Sequence, residues 1–193
     1  MKRAWLHYRV SIVVPAAWLV VLSLGLASRF ALRTDPIGMS LAWGWASAAF
    51  AHRDFALLLG NFGLWILYAP PVERAGWPLI TLLIAGQTAG VAAQLLIAPA
   101  TPLLLGGSFL VASAVAAAVV TGAGGPSRRL LGVLILLVEL GLVPSQLSGR
   151  TTVSHVGHIA AALAGVAVVL ISRRRMARTP APSTILVRPK EAP

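Results

Sequence analysis

Six long apolar runs leave this chain almost no residues from which to build a water-soluble core. They extend roughly from Val10 to Ser28, Phe55 to Pro70, Trp77 to Ala98, Leu103 to Val120, Leu130 to Leu147 and Thr152 to Ser172, and are bounded by charged residues, proline or glycine. A helix crosses the hydrocarbon of a bilayer with about 20 predominantly apolar residues. Only 11% of the 193 residues are charged, against about 25% in a soluble domain, and the mean hydropathy is +0.84. The expected fold class is an all-α membrane protein, a bundle of six transmembrane helices over residues 1–172. Residues 173–193, basic and proline-containing, are expected to form a disordered cytoplasmic tail. The first run is too long and begins too late to be a cleaved signal peptide, so it reads as a true span.

The net charge of +11 and pI near 11.9 would suit a nucleic-acid partner in a polar chain, but here the charge marks orientation. Lysine and arginine are retained on the cytoplasmic side of a membrane. With six spans, Lys2, Arg3, Arg9, Arg74, Arg128, Arg129 and the six basic residues after the last span share one side, twelve of the sixteen in all. Both termini are therefore expected in the cytoplasm, with the bilayer and not nucleic acid as the contacting phase. The segment from Arg29 to Asp54 carries Trp43 and Trp45 between charged residues. It reads as a loop partly inserted at the outer interface, not as a seventh span.

Polar side chains inside hydrocarbon are costly and kept for packing or function. Counting 1.5 Å per residue from the outer ends of their spans, Asn61 lies about 12 Å deep and Ser108 and His158 about 9 Å deep. Ser108 heads a stripe with Ala112 and Ala116, and His158 one with Ala161, Ala162 and Gly165. Small stripes let membrane helices approach closely. A serine becomes a nucleophile when a base within about 2.6–3.2 Å accepts its proton, and imidazole suits that task near neutral pH. The Asn61 carboxamide and the Ser108 N–H are donors for an oxyanion. Alone, Ser108 reads equally as a helix serine bonded to its own backbone, and Asn61 as a contact between helices.

Other chemistries fall away. The chain has no cysteine, and none of its four histidines is followed by the glutamate that an H-E-x-x-H zinc site needs. Neither aspartate lies within a span, and Glu139 is expected in the fifth span toward a different depth, nearer the cytoplasm. No carboxylate is therefore expected beside His158, and neither a metal nor a cofactor is expected. A Ser108/His158 dyad is what remains. His52 and His155 read as supporting residues, one ordering a loop and the other one turn above His158. Gln87 and Gln94, beside Gly86 and Gly90, read as packing contacts.

These residues resemble the rhomboid intramembrane serine proteases over about Trp43 to Ser172. The family's G-x-S motif appears as Gly106-Gly107-Ser108, its sixth-helix histidine as His158 followed by small residues, and its second-helix asparagine as Asn61. Ala49-Phe50-Ala51-His52 before the second span and Val72-Glu73-Arg74-Ala75-Gly76 after it also match. The resemblance implies a six-helix rhomboid-like fold with a water-filled cavity open to the outside. It implies Ser108 as nucleophile, His158 as base and Asn61 in the oxyanion hole, acting on transmembrane helices of other proteins near the outer leaflet. The compact form fits a multi-pass protein of a prokaryotic plasma membrane. The sequence departs from the pattern at Phe109, where glycine is usual, at Leu57, where many members have histidine, at Ala112, where an aromatic often packs on the histidine, at Ala161, where glycine is usual, and at Gly44, where arginine follows the tryptophan. These departures motivate a second reading, a weak or inactive rhomboid-like protein that holds membrane clients. A transporter using Glu139 and the two glutamines is a third, disfavoured because the spans show no internal repeat.

Overall fold

The computed structural model describes residues 9–26, 32–33, 39–98, 103–104 and 107–178. Seven helices lie among them: α1 (Arg9–Ser23), α2 (Met39–Ala48), α3 (Phe55–Arg74), α4 (Leu79–Ile97), α5 (Ser108–Thr121), α6 (Pro126–Leu147) and α7 (His155–Arg178). A single antiparallel pair joins β1 (Leu32–Arg33) to β2 (Leu103–Leu104). The chain is all-helical apart from this pair, and α3, α4, α6 and α7 are long and apolar enough to cross a membrane.

The expected spans are corrected in three places. Helices α1 and α5 have 15 and 14 residues, about 22 and 21 Å, short of the roughly 30 Å hydrocarbon thickness. The fourth expected span began at Leu103, but Leu103–Leu104 pairs with β1 and the helix starts at Ser108. The expected interfacial loop contains α2, and α7 continues to Arg178, past the expected boundary at 172. Lys2, Arg3, Arg29, Gly106, Arg188, Lys190 and the tail from Thr179 lie outside the described residues.

Helix α5 is the core of the bundle. Every residue from Phe109 to Ala118 is buried, as expected for a helix that is apolar all round and has small side chains. Its neighbours approach through glycines. A Cβ on Gly86 of α4 would lie 2.6 Å from the Ser113 side chain, and one on Gly165 of α7 would lie 2.6 Å from the Ser113 carbonyl oxygen. The two helices thus clamp α5 at the level of Ser113, and of the sequence stripe Gly165 and Ala161 pack against α5. Helix α1 is pinned at both ends. Glu73, at the end of α3, accepts hydrogen bonds from the backbone N–H groups of Val10 and Ser11. Trp65 donates to the Ser11 carbonyl and Trp18 to the Ala49 carbonyl, both at 2.9 Å.

Helix α6 is held differently. Only Gly132 and Gln146 are buried along it; most of its leucines and valines face outward, while Ile135 and Leu136 pack partly buried against the core. Its attachments include the Arg128 carbonyl, which accepts from the Tyr68 hydroxyl at 3.0 Å, Gly132 against Val119 and Tyr68, Glu139 at mid-helix, and Gln146 near its end.

Candidate functional site

Gly107 is the N-cap of α5, and Ser108 its first residue. A Cβ on Gly107 would lie 2.3 Å from the Trp18 indole, so glycine there lets α1 close over the start of the helix. The first turn of α5 has backbone N–H groups without intrahelical acceptors, as every helix start does. His155 opens α7, and His158 follows one turn later. The two helix starts meet. His158 Nε2 lies 2.8 Å from Ser108 Oγ, the distance of a good hydrogen bond.

The other ring nitrogen overturns an expectation. His158 Nδ1 lies 2.8 Å from Glu139 Oε2, and His155 Nδ1 lies 2.7 Å from the same oxygen. Glu139 is thus not at a different depth, and a carboxylate does stand beside His158. Helix α6 ends at Leu147, as the sequence predicts, and Glu139 lies eight residues back, about 12 Å along the helix; the overturning fact is that the start of α7 packs at this level. This is the depth expected for Asn61 from the same surface.

Asn61, in the second turn of α3, is buried with 7% exposure. Its Nδ2 donates to His52 Nε2 at 3.0 Å. An imidazole nitrogen that accepts must be unprotonated, and burial lowers His52 from 6.5 to about 4, only partly offset by the Phe50 backbone and the Asp54 carboxylate. The edge of Trp18 packs on the His52 ring at 5.1 Å between centroids. His52 is therefore a neutral, enclosed anchor that sets the Asn61 amide. Asp54, the exposed N-cap of α3, is held below the usual carboxylate range by the Leu57 N–H and the Arg53 side chain.

Phe109 supplies the aromatic contact that Ala112 lacks. Its ring meets His158 edge to face, with centroids 5.5 Å apart at 73°. Gly90 and Gly157 make room for it, since a Cβ on either would lie within 2.6 Å of the ring. Ser108, His158, Asn61 and Glu139 all line one small cavity of ≈ 70 Å³. A larger apolar cavity of ≈ 520 Å³ lies between α1, α2 and α4, lined by Val13, Trp45, Ile80 and Gln87, and holds none of these four.

Above the site runs a latch of neutral polar groups. Gln94 Oε1 accepts from Gln146 Nε2 at 2.7 Å and from the Ser154 hydroxyl, and Gln146 Oε1 accepts from the Val156 N–H at 2.8 Å. Gln94 thus joins α4, α6 and the start of α7, more than the packing role its sequence implied. Gln87 reaches the Trp45 carbonyl at 3.0 Å. Glu139, His155 and His158 together offer three ligand atoms within 4.8 Å, the donor set of a two-histidine, one-carboxylate metal site. The separations of 2.7 and 2.8 Å are those of shared protons. Ligands on one zinc at about 2.0–2.1 Å stand about 3.3 Å apart in tetrahedral geometry.

A helical bundle with four helices long and apolar enough to cross a membrane, and a serine–histidine pair at the starts of α5 and α7, defines an integral membrane protein with a candidate hydrolytic site. Residues 39–175 match the Rhomboid domain, and the chain belongs to the rhomboid family. No curated protein and no solved structure matches it.

Proposed function

We propose that this chain is an intramembrane serine endopeptidase that cuts transmembrane helices of other membrane proteins near the outer leaflet. The observation that carries the reading is the 2.8 Å separation of His158 Nε2 and Ser108 Oγ. In the reaction, Nε2 takes the Oγ proton while Oγ adds to the scissile carbonyl carbon. The tetrahedral oxyanion faces the first-turn N–H groups of α5 and the free N–H of the Asn61 amide. Collapse breaks the C–N bond, and the imidazolium returns its proton to the departing amine. Water, deprotonated by the same nitrogen, then hydrolyses the acyl-enzyme.

In this reading α1, α3, α4, α5, α6 and α7 all cross. Both termini and the basic residues from Arg173 onward lie on the cytoplasmic side, and the setting is a prokaryotic plasma membrane. Ser108→Ala and His158→Ala are each expected to abolish cleavage of a reporter transmembrane substrate and labelling by a fluorophosphonate. Labelling retained in both variants would overturn the proposal. A second reading, a rhomboid-like protein that holds clients without cutting them, is favoured by Leu57 in place of a histidine donor and by the small cavity. It requires a wild-type protein that neither cuts nor labels but co-purifies with a membrane protein.

A further inference from the structure

We propose that Glu139 is the positioning residue of a Ser108–His158–Glu139 triad, an inference that rests on the serine-protease reading above. An ionised carboxylate accepts hydrogen bonds and donates none. Its Oε2 lies 2.8 Å from His158 Nδ1, so the ring proton of neutral His158 is on Nδ1. The Nε2 lone pair is then bare and directed at Ser108 Oγ, 2.8 Å away. That is the tautomer a general base needs; the other, with a proton on Nε2, cannot accept from serine. When Ser108 loses its proton, the imidazolium forms against a carboxylate already in place.

The surroundings hold this arrangement from each side. His155 Nδ1 donates to the same oxygen at 2.7 Å, which ties the carboxylate to the helix that carries His158. Phe109 fixes the His158 ring by its edge-to-face contact. The Gln94–Gln146 latch holds the end of α6 to the start of α7. Among the described residues, the titratable groups facing His158 are Glu139 from α6 and His155 from α7; α3 contributes the neutral Asn61 and α5 Ser108.

A bolt between α6 and α7 would use the same contacts, so the test must read the imidazole itself. Glu139→Gln keeps the shape but presents an amide donor to Nδ1, favouring the wrong tautomer. It is expected to lower kcat about 10²- to 10⁴-fold with KM unchanged. Nitrogen-15 NMR of histidine-labelled wild-type protein, with His158 assigned by His158→Ala, is expected to show a proton on Nδ1; this measurement does not depend on the variant folding. Wild-type rates in Glu139→Gln, or a proton on Nε2 in the wild type, would overturn the triad. If Ser108→Ala and His158→Ala are silent while Glu139→Gln is unaffected, the dyad stands and the triad falls. Labelling that persists in Ser108→Ala removes the serine reading itself.

Discussion

The two flanks of the Ser108–His158 pair are built on opposite plans. On one flank, α1, α3, α4 and α7 press against α5 through glycines and fully buried rings such as Trp18 and Trp65, and the polar groups there, His52 and Asn61, are neutral and enclosed. On the other flank, α6 exposes most of its length and reaches the site through a carboxylate whose side chain is 24% exposed. Close packing fixes position by steric exclusion, whereas α6 depends on a few spaced hydrogen bonds. Ser108 and His158 thus sit on the densely packed flank, and Glu139 sits on a helix with only two buried residues.

The largest expected effect breaks this comparison with one substitution made twice. Gly165→Ala places a Cβ 2.6 Å from the Ser113 carbonyl oxygen and 3.0 Å from its Cα. Backbone cannot turn aside as a side chain can, so α7 must shift, at a cost of about 3 kcal/mol, and His158 moves with it. Gly141→Ala on α6 has nothing within 4 Å of the new Cβ and replaces a poor helix former, so it is expected to be neutral or stabilising by up to about 1 kcal/mol. Thermal unfolding in detergent, with fluorophosphonate labelling alongside, measures both. Equal losses at the two glycines would remove the distinction between the flanks.

How far the sequence reveals this site follows from the same division. Ser108, His158 and Asn61 stand out in the sequence as polar residues in apolar runs rich in small side chains, but the depth counted for Ser108 does not hold, because Leu103–Leu104 is strand and Ser108 opens α5. The start of α5 was misplaced because two leucines before it read as span, although they pair as a strand with β1. Glu139 was misread because a solitary acid in an apolar run carries no periodic signal. Its partners come from α7 and are set by tertiary packing. Counting back from Leu147, as was done from the outer end for Asn61, puts it at the right level. Phe109, a departure from the family pattern by position, supplies the aromatic contact in space, and only the glycines at 90 and 157 hinted at a large ring nearby.

A smaller effect is expected at the latch of α6. Gln146→Leu removes the donor to Gln94 and leaves the buried Val156 N–H without its acceptor. An unsatisfied buried donor costs about 1–3 kcal/mol, and about 2 kcal/mol fits a group that water can partly reach at a helix start. The variant should unfold at lower temperature and label more slowly, because α6 carries Glu139. An unchanged midpoint would mean that packing at Gly132 suffices to hold α6, which would make the flanks more alike than they look.

The smallest expected effect concerns His52 on the packed flank, and it depends on pH. His52 is lowered from 6.5 to about 4 by burial, so the folded protein binds its proton later than the unfolded chain as acid is added. Between these values the unfolded state holds more protons, and stability therefore falls as pH drops through 6.5 toward 4. At pH 5.5 the difference amounts to about 1.4 kcal/mol relative to pH 8. His52→Gln retains an acceptor for the Asn61 amide near the position of Nε2 but does not titrate. Its unfolding midpoint should fall less than that of the wild type over this range, the gap between the two curves closing above pH 7. Parallel curves would show that His52 is wetter than its contacts with Trp18 and Asn61 imply, and that the neutral enclosure of this flank is incomplete.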